Sequence, residues 1–208
     1  MTSPHPLRLV VLGDSIAYGT GALHRDETLG PRLVTVLEEA GHLVDLHVLA
    51  VPGATSADLA PQVTRALPLA PDLAVVVIGA NDLAQLVPPR SATRLLGTAV
   101  STLRTAGTDT VVVTAPDMSL VPAVPPALRP VVRSGCAAME RMQVRAVEAA
   151  GGTAVRLARE LAVPFSTDSG LFAADRYHPS GAGYAVIAER LAPFVVSAAD
   201  RRRDGAVA

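Results

Sequence analysis

Five short apolar runs, rich in β-branched residues, recur along the 208-residue chain. Two of them, LAVVVI and TVVVT, are continuously apolar in their centres instead of alternating between apolar and polar residues. Continuous runs of this kind are typical of parallel strands that are covered on both faces. The pattern predicts strands over residues 7–12, 43–51, 73–78, 110–114 and 153–157.

The segments between these strands repeat apolar residues with the period of a helix. In TLGPRLVTVLEEAG, for example, Leu29, Leu33 and Leu37 fall on one face and Gly41 ends the pattern. Alternation of strands and helices implies right-handed crossovers, so the predicted fold class is α/β, a three-layer α/β/α sandwich around a five-stranded parallel sheet. Further helices are predicted over residues 56–67, 92–107, 128–151 and 181–195.

The length and composition suit one domain with a full core, since half of the residues are hydrophobic. We predict a single domain over residues 1–198 and a polar, disordered C-terminal tail over residues 199–208. The formal net charge of −1 gives no electrostatic argument for a nucleic-acid partner, and the arginine cluster at 201–203 is interpreted as part of the solvated tail.

Several kinds of chemistry are excluded by composition. The chain has no lysine, which removes Schiff-base and Ser-Lys mechanisms. Its single cysteine, Cys136, cannot form an intramolecular disulfide and is predicted to be a core residue. The histidines lack metal-ligand spacing, so metal catalysis is not expected.

The N-terminal apolar run is short and ends in a turn, so it does not resemble a signal peptide. None of the apolar stretches has the length expected of a membrane span, and no stable membrane insertion is predicted. The expectation from these two features is a soluble, cytoplasmic protein.

Polar clusters stand where the predicted strands end. In open α/β sheets, ligands bind beyond the carboxyl ends of the strands, so these clusters are the candidate site. They are Gly13-Asp14-Ser15 after the first strand, Gly53 after the second, Gly79, Asn81 and Asp82 after the third, and Asp175 with His178 in the segment DRYHPSGAGY before the last helix.

These residue types are the ones that acyl transfer needs. A serine hydroxyl becomes a useful nucleophile when an imidazole removes its proton and a carboxylate orients that imidazole, and Ser15, His178 and Asp175 could fill these roles. The developing oxyanion needs fixed donors, which the amides of Ser15 and Gly53 and the side chain of Asn81 could supply. Taken alone, Ser15 could equally be a turn or helix-capping serine.

The four clusters, in this order, resemble the four sequence blocks of the SGNH (GDSL-type) esterase and lipase family along nearly the whole chain. The resemblance implies a flavodoxin-like sandwich. It also implies that Ser15 is the nucleophile, that Asp175 and His178 complete the triad, and that Gly53 and Asn81 are oxyanion donors. Asp14, Gly79 and Asp82 are expected to support the site, the two carboxylates by accepting backbone hydrogen bonds.

The sequence therefore predicts a serine esterase acting on a small-molecule ester, without a cofactor. The compact chain favours short to medium acyl groups, and the apolar loops LAQLVPPR and 115–128 are expected to line the acyl pocket. Thioesters, lysophospholipids and sugar acetates stay open as substrates, as does a non-catalytic binding module on the same fold. The sequence does not determine the oligomeric state.

Overall fold

The computed structural model describes residues 5–207, and its centre is a five-stranded parallel sheet. The strand order is β2-β1-β3-β4-β5, and every neighbouring pair is parallel. The predicted fold class and all five predicted strands are confirmed, with bounds that differ by up to three residues. The strands are β1 (Leu7–Gly13), β2 (Val44–Val48), β3 (Leu73–Val77), β4 (Asp109–Val113) and β5 (Thr153–Val155).

Eight α-helices lie between and after the strands in the described part of the chain. Five of them correspond to predicted helices, whereas α1, α4 and α7 were not predicted. The first two are too short to show a helical period, and Pro164 interrupts the pattern of the third. The helices are α1 (Ser15–Tyr18), α2 (Leu29–Glu39), α3 (Leu59–Ala66), α4 (Ala80–Ala84), α5 (Pro89–Thr105), α6 (Arg129–Ala149), α7 (Ala158–Thr167) and α8 (Gly181–Val207).

Two hydrophobic clusters lie on opposite faces of the sheet, as a three-layer sandwich requires. Alternate residues of β1 point to opposite faces, so that Leu9 joins helices α2 and α8 while Val10 joins α3, α5 and α6. The three central strands, β1, β3 and β4, are almost completely buried, which accounts for their continuous apolar runs, whereas the edge strands β2 and β5 are partly exposed.

The prediction that a disordered tail begins at residue 199 is wrong, because α8 continues past residue 198. Ala199 is fully buried in the core. The Arg202 guanidinium donates hydrogen bonds to the Gly107 carbonyl at 2.7 Å and to Asp72 at 3.1 Å. These contacts lie at the edge of the sheet where β3 and β4 begin, and they hold α8 to the body of the protein as far as residue 202. Residue 208 of the predicted tail and residues 1–4 of the predicted domain lie outside the described range.

The expectation that no stretch reaches membrane-spanning length also needs correction. Within residues 5–207, Gly181–Arg203 of α8 is long enough, with 23 residues and a mean hydropathy of 1.2. Its apolar stripe is covered, however, because Leu191, Val195 and Ala198 are completely buried against the sheet. The hydropathy of α8 is therefore that of a core helix, which is consistent with a soluble protein.

The order of the strands places a crevice beside β1. The chain goes from β1 to one side to form β2 and then returns across β1 to form β3 on its other side. Crossovers leaving β1 and β3 therefore diverge to opposite faces, and the carboxyl ends of these two strands form the topological switch point. Ser15 follows β1 and Asn81 follows β3, so two candidate residues flank this crevice.

Candidate active site

Ser15 is held at the end of β1 by a turn that only glycine permits. Gly13 has φ +128°, and a Cβ there would lie 1.8 Å from the Val77 carbonyl oxygen. Asp14 caps the short helix α1, since its carboxylate accepts a hydrogen bond from the Ile16 amide at 2.9 Å. The cap fixes Ser15 as the first helical residue at the rim of the sheet.

A buried glutamine on α3 fixes this turn from the opposite side. The Gln62 side chain accepts a hydrogen bond from the Gly13 amide at 2.7 Å and donates one to the Gly13 carbonyl at 2.9 Å. The Gly13 carbonyl also accepts from the Val51 amide at 3.0 Å, so the glutamine supplies the partner of the Gly13 amide and a second donor to the carbonyl. Sequence analysis missed Gln62. The available signal was a polar residue on the buried face of an amphipathic helix, next to Val63.

Gln143 on α6 makes similar hydrogen bonds to the backbone just after β3 and β4. It donates to the Ile78 carbonyl at 3.0 Å and accepts from the Ala115 amide at 2.7 Å, so it bridges the ends of β3 and β4. A Cβ on Gly79 would lie 2.7 Å from the Gln143 Nε2 atom, and Gly79 has φ +126°. The support expected of Gly79 is therefore steric: it leaves room for the glutamine that fixes the segment leading to Asn81.

The segment that carries Asp175 and His178 is a tight loop between α7 and α8. The His178 carbonyl accepts a hydrogen bond from the Ala173 amide at 2.8 Å. Asp175 Oδ1 accepts hydrogen bonds from the Tyr177 amide at 2.9 Å and the His178 amide at 3.0 Å. Ser180 follows and caps α8 by accepting from the Gly183 amide at 3.2 Å. The loop thus presents the imidazole towards the end of β1.

The structure brings the serine, the histidine and the aspartate into one hydrogen-bonded chain. His178 Nδ1 lies 2.6 Å from Asp175 Oδ2, and His178 Nε2 lies 3.0 Å from Ser15 Oγ. A carboxylate accepts only, so Nδ1 carries the proton and Nε2 is free to accept one from the hydroxyl. This order of groups is what activates a serine for nucleophilic attack.

Asp175 is ionised over the whole neutral range. Burial on its own raises the pKa of this carboxyl, but hydrogen bonds from the His178 ring and from the backbone amides of His178 and Tyr177 outweigh it. Together they lower the pKa from an ordinary value of 3.8 to about 2. A permanently charged carboxylate at Nδ1 stabilises the imidazolium that forms when Nε2 takes a proton.

The three expected oxyanion donors differ in whether they already donate a hydrogen bond within the protein. The Asn81 Nδ2 atom donates to the Ala54 carbonyl at 2.9 Å, which fixes the amide and leaves its second N–H for another acceptor. Within residues 5–207, neither the Ser15 amide nor the Gly53 amide donates a hydrogen bond. Gly53 is exposed and does not line the cavity described below, and its φ of +84° explains why glycine occupies the position.

Asp82 ties the loop after β2 to the helix after β3. This fully buried carboxylate accepts from the Ser56 amide at 3.1 Å and from the Ser56 hydroxyl at 3.0 Å. The bonds hold the loop that carries Gly53 next to Asn81. Asp82 therefore accepts a backbone hydrogen bond, as expected, and Ser56 is its partner, which sequence analysis did not single out.

Asp14 has a second carboxyl oxygen, Oδ2, that is buried without a hydrogen-bond partner in the described part of the chain. Burial raises the pKa of Asp14 to about 7, and the nearby charge of Asp82 adds to this, although the hydrogen bond from Ile16 opposes it. The carboxyl group beside the candidate nucleophile is thus protonated in a large fraction of molecules at neutral pH.

An apolar cavity opens beside Ser15, with a volume of ≈ 80 Å³. The loop that follows β4 supplies part of its wall, as expected for the segment 115–128, and α7 supplies another part. The segment LAQLVPPR after Asn81, in contrast, does not line it. Its apolar lining is Ile16, Ala80, Pro116, Met118, Leu120, Val121, Ala158, Leu161, Phe165, Phe172, Pro179 and Ile187.

Within the described residues, no group of three or more His, Cys, Asp or Glu side chains is arranged to hold a metal ion. The imidazole of His178 is engaged by the carboxylate and the hydroxyl at its two nitrogens. The carboxylate at Nδ1 and the hydroxyl at Nε2 are therefore placed for proton transfer through the imidazole.

Comparisons with known proteins point to one family. The model of the GDSL-like Lipase/Acylhydrolase family matches residues 11–186. A GDSL-like esterase of Mycobacterium tuberculosis is 38% identical over 192 residues, which cover 90% of this chain and 61% of that protein. The chain thus spans about three fifths of the length of this curated relative.

Solved structures show the same fold at lower identity. LAE5, an alpha/beta hydrolase enzyme from the metagenome of Lake Arreo, is 21% identical with a TM-score of 0.74, over 91% of this chain and 95% of that one. A catalytic mutant of Axe2, an acetylxylan esterase from Geobacillus stearothermophilus, is 18% identical with a TM-score of 0.70, over 92% and 94% of the two chains. The resemblance predicted from the four sequence blocks is confirmed, and this chain belongs to the GDSL-like lipase/acylhydrolase family.

Proposed function

We propose that this chain is a serine esterase that hydrolyses carboxylic esters of short to medium acyl chains. The observation that carries the proposal is the continuous contact from Asp175 through His178 to the Ser15 hydroxyl, at the mouth of an apolar cavity. The named activity of the Mycobacterium tuberculosis relative, an esterase, supports the same reaction class.

In the proposed reaction, His178 Nε2 takes the hydroxyl proton while Ser15 Oγ attacks the ester carbonyl. The Ser15 amide, the Gly53 amide and the second N–H of Asn81 stabilise the oxyanion. The C–O bond to the alcohol breaks, and the alcohol leaves with the proton from His178. Water then attacks the acyl-enzyme by the same route in reverse, which releases the acid and restores the serine.

The size and polarity of the cavity support the choice of acyl group. A water takes up about 30 Å³ of filled volume and a methylene is of similar size, so ≈ 80 Å³ accommodates about three such groups. An apolar wall favours an alkyl acyl chain, whereas a sugar acetate would place only its two-carbon acetyl group there and would leave most of the apolar surface uncovered. This is the reason for ranking alkyl esters above sugar acetates.

A series of p-nitrophenyl esters from acetate to palmitate tests the acyl preference. We expect kcat/KM to be highest for acyl chains of about three to six carbons. Val121→Phe adds a ring to the cavity wall and is expected to shift the optimum towards shorter chains, with acetate least affected. Val131→Phe, at an exposed position on α6, is the matched control. A rate that is independent of chain length, or an optimum at palmitate, would contradict this assignment of the cavity.

Replacing Asn81 by alanine tests the oxyanion role of this residue. The variant loses the side-chain donor, and kcat is expected to fall about 10²–10³-fold while KM changes little, because the donor acts mainly on the charge of the transition state. Steady-state kinetics on p-nitrophenyl butyrate measures both constants. An unchanged kcat, or an effect confined to KM, would remove Asn81 from the proposed mechanism.

A cytoplasmic location is also part of the proposal, since α8 is used as a core helix. Cell fractionation with an antibody against the protein tests it. Recovery with the membrane pellet after a high-salt wash would count against it.

A further inference from the structure

A second cavity adjoins the catalytic one and has a different character. Its volume is ≈ 320 Å³, and it shares Leu120, Phe165 and Phe172 with the apolar cavity beside Ser15. The two phenylalanine rings meet edge to face with centroids 5.2 Å apart. They therefore form the boundary between the two cavities, and a molecule attached at Ser15 could extend past them.

The second cavity is cationic. Arg129 and Arg133 line it together with three serines, and its lining contains no acidic residue. Arg133 approaches one carboxylate, Asp117, at 3.5 Å, whereas Arg129 has no carboxylate within 4 Å among the described residues. The chain as a whole has a net charge of −1, so this local excess of positive charge is not a property of the general surface.

Both arginines are anchored in a way that leaves their outer nitrogens available. Arg129 donates from Nε to the Val124 carbonyl at 3.3 Å, and Arg133 donates from Nε to the Ser119 hydroxyl at 3.2 Å. Within the described chain, the terminal nitrogens of these two guanidinium groups make no hydrogen bond. A guanidinium held by Nε presents its remaining donors in a fixed fork, which suits a carboxylate or a phosphate.

We infer that the second cavity binds a negatively charged group on the substrate, a carboxylate or a phosphate separated from the ester carbonyl by a short apolar spacer. The inference rests on the proposed function, because the spacer would occupy the apolar cavity next to Ser15. The substrates preferred by this chain are then anionic esters, and an uncharged ester uses only the apolar half of the site.

Matched pairs of substrates test this inference. On the acyl side, the p-nitrophenyl monoester of adipic acid is compared with p-nitrophenyl hexanoate, which has the same number of acyl carbons but no carboxylate. On the alcohol side, the hexanoate ester of 4-hydroxyphenyl phosphate is compared with that of 4-methoxyphenol. The two arms distinguish an anion on the acyl half from one on the alcohol half, and the quantity compared is the ratio of kcat/KM, anionic over neutral.

The double variant Arg129→Gln/Arg133→Gln should lower this ratio about 10-fold in at least one arm and leave the neutral ester unaffected, since charge-assisted hydrogen bonds to a partly exposed site are lost. Arg141→Gln, at an exposed position further along α6, is the matched control and should change neither rate. Arg133→Lys keeps the charge and should retain part of the preference, and added salt should reduce the wild-type ratio.

The outcomes distinguish a failure of the proposed function from a failure of the anionic subsite. If the wild type hydrolyses neither the neutral nor the anionic esters, the proposed function fails. If they are hydrolysed but the double variant leaves the ratio unchanged in both arms, the anionic subsite is wrong. Equal losses for neutral and anionic esters would also overturn it, because they would show that the arginines only support the fold of the 115–128 loop.

Discussion

Ser15→Ala should lower kcat/KM for p-nitrophenyl butyrate by about 10⁴–10⁶-fold, which is the scale seen when a serine nucleophile is removed from an intact triad. The Ser15 hydroxyl lies 3.0 Å from His178 Nε2, and its removal leaves no hydroxyl there for the imidazole to activate. The remaining activity would come from the oxyanion donors and from substrate binding alone.

The same variant can be examined without a substrate. A fluorophosphonate probe should label the wild type at Ser15 and leave Ser15→Ala unlabelled, because labelling requires the activated hydroxyl. Ser101→Ala, at an exposed serine on α5, is the control and should be labelled and active like the wild type. Retained activity in Ser15→Ala, with a native circular dichroism spectrum, would mean that another residue is the nucleophile.

His178 shows what sequence patterns can predict about a site and what they cannot. The strand-end positions of Ser15 and Asn81 followed from the strand pattern, because parallel strands bring their carboxyl ends to one edge of the sheet. The contact between residues 15 and 178 could not be derived in that way. It depends on the loop held by the Ala173–His178 hydrogen bond and on the path of α8, which are tertiary features.

The buried glutamines are a second case. Gln62 lies on the same helix face as Leu59 and Val63, and Gln143 lies on that of Met139 and Val147. Propensity and periodicity mark such positions only as exceptions to the apolar stripe. What these glutamines do depends on which backbone groups the turns leave unpaired, and the sequence does not contain that information in local form.

The predicted start of the C-terminal tail was wrong for a related reason. The arginines at 201–203 are polar and close to the end of the chain, and composition alone favours a solvated segment. The helix continues because Arg202 finds acceptors at Gly107 and Asp72, on connections that enter β4 and β3. These partners are 95 and 130 residues away along the chain, so only the folded sheet brings them near.

Asp14→Asn should stabilise the protein at pH 8, and the gain should disappear as the pH is lowered to 4. In the folded state the pKa of Asp14 is about 7, whereas the unfolded chain has the ordinary value of 3.8. Between these values the unfolded state loses the proton first, so the free energy of unfolding of the wild type falls by about 1.4 kcal/mol for each pH unit. Above pH 7 the accumulated cost is on the order of 4 kcal/mol.

Asparagine cannot ionise, and its side-chain oxygen can still accept the Ile16 amide and cap α1. Urea unfolding of the wild type and Asp14→Asn at pH 4, 5, 6, 7 and 8 therefore should give curves that coincide at pH 4 and separate as the pH rises. Asp26→Asn, which removes an exposed carboxylate, should remain within about 0.5 kcal/mol of the wild type throughout. A difference between Asp14→Asn and the wild type that does not vary with pH would show that Asp14 is ionised in the folded protein. Its buried Oδ2 would then need a partner that the contacts described above do not include.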